Sequence, residues 1–291
     1  MSMGAVEFAP AKVNLTLRAG RARADGYHPL DSLVVFADWG DEVTAREADG
    51  LALALTGNGA EPLWEEPRNL VLKAAWALRA AAGKPELGAH LTLSKQLPVS
   101  AGLGGGSSDA AAALRALNRL WDLGFSLKQL SEIGSTVGAD VPACVHARPL
   151  RMSGIGEVIA PLAAWPSLSA VIVNPGTRLS TTDVFAAFDA GAPAPLKPGP
   201  AAAAGDLESA LGRLAACGND LQAPAIGLCP QIAEALEALD GAGAALSRMS
   251  GSGASCFGLF ADDEAAGQAA RAISAAHKDW IVRSVRFGGA A

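Results

Sequence analysis

The sequence predicts an α+β fold, and three observations carry that prediction. Strand-like and helix-like segments mix along the chain without strict βα alternation. Residues 12–18 alternate in polarity, as a strand with two unlike faces does. The last part closes on a strand, a Gly-rich turn, a strand, a helix and a strand across residues 244–287.

Each element can be justified in order. In the first strand Val13, Leu15 and Leu17 face one way, and Lys12, Asn14, Thr16 and Arg18 the other, so a half-buried strand is expected. Residues 33–36 and 51–55 read as further strands. Residues 70–82 read as a helix, with Asn69 at the N-cap and Gly83 just past the end. Leu91-Thr92-Leu93 is a strand that leads into a Gly-rich segment. The helix after it carries an apolar stripe of Ala110, Ala113, Leu114, Leu117, Leu120 and Trp121. Ser107 or Ser108 is placed to cap that helix, with Asp109 in its first turn, where negative charge is favourable. Residues 127–136 form the next expected helix and 170–173 a buried strand. The Ala/Pro/Gly stretch 190–205 reads as a mobile loop. Helices are expected at 206–216, 230–240 and 263–276, and strands at 244–249, 255–260 and 280–287.

Composition removes several function classes. Half of the 291 residues are hydrophobic, but much of that is alanine and only 5% are aromatic. The mean hydropathy of +0.25 therefore does not signal a membrane protein, and no run of about 18 strongly apolar residues exists. No basic stretch followed by an apolar one opens the chain, so no secretory signal is expected. The net charge is −6, with no Lys/Arg cluster to form a nucleic-acid surface. Cys144, Cys217, Cys229 and Cys256 are widely spaced and make no C-x-x-C, and the four histidines show no metal-ligand spacing. Buried reduced thiols in a cytoplasmic protein are the expectation.

The segment Leu97-Pro98-Val99-Ser100-Ala101-Gly102-Leu103-Gly104-Gly105-Gly106-Ser107-Ser108-Asp109 is the strongest chemical signal. Glycines let the backbone approach an anion and take positive φ. The following helix adds unsatisfied N–H groups and a partial positive charge, a setting for phosphate. No Lys follows the last glycine, so this is no Walker A loop. Ser107 stands where a dinucleotide fingerprint wants its third glycine, and no second strand with an acidic end follows. Elsewhere, Lys12 and Asn14 lie about 6.5–7 Å apart on one strand face, where they address one ligand or simply face water. Asp140, in Gly138-Ala139-Asp140-Val141-Pro142, is a turn or cap residue, or a catalytic carboxylate. Tyr27-His28 follow a turn pair and could stack on a planar ligand, and Phe185 is a further candidate ring. Ser250–Ser255 and Gly154–Glu157 are turns with more Gly and Ser than a tight hairpin needs.

These segments stop being independent when taken together. Pro10-Ala11-Lys12-Val13-Asn14-Leu15, the 97–112 segment, 138–142 and 250–255 come in the order that resembles the GHMP small-molecule kinases. Ala24-Asp25-Gly26-Tyr27-His28, Asn69-Leu70-Val71, Gly154-x-Gly156-Glu157 and Asn219-Asp220-Leu221 extend the resemblance over residues 9 to 260. It points to the branch whose acceptor is a small alcohol linked to cytidine diphosphate, in the non-mevalonate route to isoprenoid precursors. Two departures stand out. Met152-Ser153-Gly154 replaces a segment that usually reads Ala-Arg-Gly, and 190–205 is unusually rich in Ala and Pro.

The resemblance implies two domains, residues 1–157 and 158–291, the first like domain 2 of ribosomal protein S5 and the second ferredoxin-like, with the active site in the cleft between them. Asp140 would take the proton of the attacking hydroxyl, and Lys12 would hold both and favour the ionised carboxylate. Pro98 to Ser108 would wrap the phosphates of ATP, with Ser107 or Ser108 near Mg2+. Asn69 and Lys95 would line the adenine pocket. Tyr27 and Phe185 would sandwich a cytosine, and His28 would bond its edge. Asn14 and Thr181 would contact the rest of the acceptor. No protein-held metal site, nucleic-acid partner or membrane is implied, and the expected state is a monomer or weak homodimer. Three alternatives remain: a homoserine or mevalonate type of GHMP kinase, against which Tyr27-His28 speaks; a non-catalytic metabolite-binding module, against which Lys12 with Asp140 speaks; and a nicotinamide oxidoreductase, weakened by the broken glycine pattern.

Overall fold

A computed structural model describes residues 4–58, 69–99, 101–197, 199 and 207–288. The chain forms two compact units drawn from interleaved segments. The first takes Met1–Lys12, Trp39–Val99 and Gly104–Ala147; the second takes Val13–Asp38, Ser100–Leu103 and Arg148–Ala291. The first two strands of the chain each contribute to both units.

Those strands, β1 (Ala5–Ala19) and β2 (Leu30–Glu47), are far longer than the expected 12–18 and 33–36. The Ala37-Asp38-Trp39-Gly40 stretch looks like a break but is not one. A Cβ on Gly40 would come within 2.7 Å of Pro10 Cα, so glycine here lets β1 approach β2 closely. In the first unit β3 (Leu51–Thr56) runs parallel to β4 (Ala89–Ser94), and β4 pairs antiparallel with the second half of β2, Val43 opposite Leu93. Helices α1 (Leu70–Ala82), α2 (Gly105–Leu120), α3 (Leu127–Ser135) and α4 (Val141–His146) complete this unit. Leu78, Leu91, Leu93, Leu114 and Leu117 are fully buried at its core.

In the second unit the first half of β2 pairs with β5 (Leu150–Gly154), which forms a hairpin with β6 (Val158–Pro161) around Gly154–Glu157. Then follow β7 (Leu168–Asn174), α5 (Thr181–Ala190), α6 (Leu207–Ala215), α7 (Gln222–Leu228), α8 (Gln231–Gly241), β8 (Leu246–Met249), β9 (Cys256–Phe260), α9 (Asp263–Ala276) and β10 (Ile281–Phe287). The strands lie in the antiparallel order β10-β7-β9-β8. With α8 and α9 as connections this is the βαββαβ arrangement of ferredoxin-like folds. Val171, Val173, Ile232, Leu239, Met249 and Ile273 fill its core. Of the 190–205 stretch, residues 198 and 200–205 lie outside the described residues. Ala194 accepts the N–H of Arg21 at 3.0 Å, and Gly199 N–H donates to Asp31 at 2.7 Å.

Candidate active site

The helix α2 starts earlier than its sequence suggests. Gly104 is its N-cap, in the left-handed conformation at φ 60°, and neither Ser107 nor Ser108 caps it. Ser108 is buried inside the first turn, where its hydroxyl donates to Pro10 O at 2.7 Å. Asp109 is likewise not a surface charge at the helix end; it is buried. The first intrahelical bond runs from Ser108 N to Gly104 O at 2.8 Å. Hence the N–H groups of Gly105, Gly106 and Ser107 precede the helix ladder, and no cap side chain claims them. Such a terminus suits an anion.

Beside it stands an ion pair. Lys12 Nζ lies 2.8 Å from Asp140 Oδ2, with Lys12 buried and the Asp140 side chain 37% exposed. The local sequence leaves that carboxylate available. Asp140 is the N-cap of α4 but makes no cap hydrogen bond. The second helical residue is Pro142, which has no N–H to offer a capping oxygen. Gly104 in turn makes room for the lysine, since a Cβ there would sit 3.0 Å from Lys12 Cβ and 3.2 Å from its Cε. Ser107 lies close to the same corner, its Oγ 3.9 Å from where a Cβ on Gly138 would be. The first unit thus gathers Lys12, Asp140 and Gly104 to Ser107 in one place.

The two expected adenine-pocket residues both have partners within the chain. Asn69 caps α1, its Oδ1 accepting from Val71 N at 2.9 Å. The Lys95 ammonium is buried between Asp41 and Asp109, which both pair with it. Burial works against its charge, but Asp109 and Asp41 outweigh that and raise its pKa above the ordinary lysine value. Pro98 and Val99 follow at the end of this segment, and Ser100 lies outside the described residues.

The second unit holds the remaining candidates. Ala101 O accepts from Ser255 N at 3.1 Å, and Gly102 O accepts from the Ser250 hydroxyl at 3.1 Å. Ala101–Leu103 are thereby tied to the β8–β9 turn. Gly102 must be glycine, because its φ is 74° and a Cβ would meet Ser250 O at 2.8 Å. Asn219 holds the same turn through Met249 O and Gly251 O, both at 2.8 Å. Asn14 is buried, not solvated as a half-exposed strand face would be. Its Nδ2 donates to Ser32 Oγ at 2.7 Å, and Ser32 donates to Thr16 O at 2.6 Å. Because Thr16 O can only accept, the single Ser32 proton points there, and Ser32 must accept from Asn14. The Asn14 amide is therefore fixed with Oδ1 turned the other way, where it has no partner.

The aromatic group differs from the expected sandwich. His28 stacks on Phe185 at 4.6 Å and 26°, and Phe188 meets His28 edge-on at 5.8 Å. One face of Phe185 is thus covered by His28, while Tyr27 stands 58% exposed beside this group. His28 Nδ1–H donates to Gly20 O at 2.9 Å, and its Nε2 is 3.4 Å from Asp189. Thr181 opens α5 and shares a 2.8 Å hydrogen bond with Ser252.

Comparison with known proteins gives the family. The GHMP kinases N terminal domain matches residues 69–148, and the GHMP kinases C terminal domain matches 200–279. A 4-diphosphocytidyl-2-C-methyl-D-erythritol kinase of Parvibaculum lavamentivorans is 51% identical across 99% of this chain and 100% of its own. This chain belongs to that family of GHMP kinases. Among solved structures, a 4-(cytidine 5'-diphospho)-2C-methyl-D-erythritol kinase is 34% identical with a TM-score of 0.79, covering 98% of this chain and all of its own. A homoserine kinase of Cytophaga hutchinsonii shares the fold, with a TM-score of 0.73 at 20% identity over 98% of this chain and 95% of its own. Sequence reasoning missed two side chains that hold these candidates in place: Ser32, which fixes the Asn14 amide, and Asp41, which pairs with Lys95. Nothing in the local sequence marks Asp41. Ser32 carried a weak signal as a lone hydroxyl beside a strand of apolar residues.

Proposed function

We propose that this GHMP kinase transfers the γ-phosphoryl group of ATP to the 2-hydroxyl of 4-diphosphocytidyl-2-C-methyl-D-erythritol. The observation that carries the reading is the Lys12–Asp140 pair at 2.8 Å beside the uncapped start of α2. Asp140 accepts the hydroxyl proton as that oxygen attacks phosphorus, and ADP leaves. Lys12 holds the carboxylate and neutralises charge gathering on the transferred group. The N–H groups of Gly105 to Ser107 hold the phosphates of the donor. Few side chains are required, because positioning and charge neutralisation dominate phosphoryl transfer.

The partly exposed Asp140 and the Ser107 hydroxyl are hard oxygen donors suited to Mg2+. Among the described residues no group of three or more His, Cys, Asp or Glu could hold a metal. A Mg2+ ion would then be carried largely by the phosphates of ATP, whose charge it neutralises. Tyr27, with the His28–Phe185 stack, offers the ring surface for cytosine, and Asn14 offers an acceptor oxygen for an acceptor hydroxyl. The four cysteines are buried and free, which fits a reducing cytoplasmic setting. No helix among the described residues is long and apolar enough to cross a membrane.

The test is ADP release against a panel of acceptors. Turnover should require the cytidine diphosphate-linked methylerythritol. Comparable turnover with mevalonate or homoserine would overturn the assignment.

A further inference from the structure

Two stretches depart from the family pattern, Met152-Ser153-Gly154 and the Ala/Pro-rich 190–205, and in the second unit they meet at Asp31. Asp31 on β2 stands opposite Ser153 on β5, and Leu33 stands opposite Arg151. Asp31 and Arg151 are therefore diagonal neighbours on one face of the sheet. Arg151 Nε donates to Asp31 Oδ1 at 2.8 Å, and its terminal nitrogen donates to Oδ2. The Asp31 side chain is only 7% exposed. Gly199 N–H donates to the same Oδ2 at 2.7 Å, and Arg151 donates to Gly199 O at 3.4 Å. One aspartate and one arginine thus hold both backbone polar groups of Gly199.

Gly199 is one of three ties between this stretch and the segment that carries Tyr27 and His28. Ala194 O accepts the N–H of Arg21 at 3.0 Å. Leu196 passes close to Gly20, where a Cβ would lie 2.7 Å from Leu196 N. The third tie is Gly199 at Asp31. Residues 21–27 are all exposed, so this turn has little packing of its own to fix it. Gly20 N–H to Pro29 O at 2.9 Å and His28 Nδ1–H to Gly20 O at 2.9 Å close its stem. Phe185 and Asp189 of α5 engage the His28 ring. The ties from Ala194, Leu196 and Gly199 fall instead on the stem, at Gly20, Arg21 and Asp31.

We propose, resting on the reading that Tyr27 and the His28–Phe185 stack receive the cytosine of the acceptor, that Arg151 is a positioning residue for acceptor binding. By clasping Asp31 and Gly199 together it anchors the stretch from Ala194 to Gly199 as a strap on the stem of the Tyr27–His28 turn. Arg151 acts through that strap and not by touching the acceptor. Without its guanidinium the buried Asp31 oxygens keep Gly199 N–H but lose their two charged donors, and Gly199 O loses its partner. The turn then samples more positions, and binding the acceptor must restore the right one.

The test is Arg151→Gln, with ADP release measured while acceptor and ATP are varied separately. KM for the acceptor should rise about 3–10-fold, with kcat and KM for ATP within about twofold of wild type. A role in stability alone would lower the active fraction, and so kcat, with both KM values unchanged. An acceptor KM that stays at the wild-type value, or that rises in step with KM for ATP, overturns the proposal. Gly199→Pro is the second variant. It removes the N–H that reaches Asp31 and leaves the Arg151–Asp31 pair in place; a Cβ at 199 meets Cys217 Sγ only at 3.7 Å, so there is room for the ring. It should raise the acceptor KM in the same sense, and less than additively with R151Q; full additivity overturns the proposal. Amide hydrogen exchange of the full chain without ligands is the independent measurement. Arg21 and Gly199 should be protected in the wild type and lose about tenfold or more of that protection in R151Q. Unprotected wild-type amides, or protection unchanged in R151Q, overturn the strap. A wild type that fails to turn over the acceptor would instead defeat the functional reading, and the exchange result would still judge the strap.

Discussion

Gly104→Ala tests how the phosphate cradle and the Lys12–Asp140 pair depend on each other. Gly104 sits at φ 60°, and its missing Cβ leaves the path taken by Lys12. A left-handed alanine costs about 1–2 kcal/mol. Against a usual stability of about 5–15 kcal/mol the variant still folds. The steric effect is sharper. The added carbon would lie 3.0 Å from Lys12 Cβ, where unstrained carbons stand about 3.5–4.0 Å apart. Either Lys12 or the loop must therefore yield by roughly 0.5–1 Å. A shift of that size breaks a 2.8 Å ion pair or turns the N–H groups of Gly105 to Ser107 off their target. Misplacement by about 1 Å costs on the order of 10²-fold in rate.

The assay is steady-state ADP release with ATP and the acceptor varied separately, beside thermal unfolding of the same preparations. We expect kcat/KM for ATP to fall by about 10–10²-fold with only the modest loss of stability given above. If Gly104 acts through the Lys12–Asp140 pair, the G104A and D140N losses will be less than additive in the double variant. A G104A enzyme with wild-type kcat and KM would refute the reasoning, and so would full additivity.

Other expectations rest on single groups. Asp140→Asn should lower kcat by at least ~10² with little change in KM, as loss of a general base does; an affinity loss with unchanged kcat contradicts that role. Tyr27→Ala should raise KM for the acceptor and leave that for ATP alone, because the ring is exposed beside the His28–Phe185 stack. Ser32→Ala releases the Asn14 amide, and loss of one net hydrogen bond of about 0.5–1.5 kcal/mol should weaken acceptor use by about 2–10-fold. Asp263 accepts hydrogen bonds from Arg286 and Ser169, which hold its carboxyl down at about 2. Its contribution is therefore present above the ordinary Asp range and is lost only as pH falls toward 2. Carboxyl NMR should place that titration near 2 and show it move upward in Arg286→Gln.

Much of the secondary structure follows from local rules. α1 runs from Leu70 to Ala82 because Asn69 and Gly83 supply both caps, and both signals are readable in the sequence. The β8–β9–α9–β10 run is legible for the same kind of reason: apolar strands are separated by Gly, Ser and Asp at each break. Errors arise where a distant chain segment overrides a local preference. Gly40 looks like a strand end, but the close approach of Pro10 makes glycine necessary inside β2. Thr181–Ala190 opens on a capping serine, Ser180, yet its mixed polar and aromatic residues hide the helix.

The site divides along the same line. The Gly102–Ser108 stretch stands out by its glycines and serines, whereas Lys12 and Asp140 are singled out only by the ordered resemblance that joins them to it. What each polar group does is decided by partners far away in the sequence, 128 positions for Lys12 and Asp140 and 148 for Gly102 and Ser250. Lys95 shows the consequence. The resemblance implies a place for it in the adenine pocket, and the chain buries its ammonium between Asp41, 54 residues earlier, and Asp109, 14 residues later. Its full burial and its two acidic partners make it a brace for α2, the helix whose N–H groups we propose hold the phosphates. Replacing Lys95 would then change the cradle by unseating α2, while replacing Lys12 would change it by removing a charge from the reacting groups.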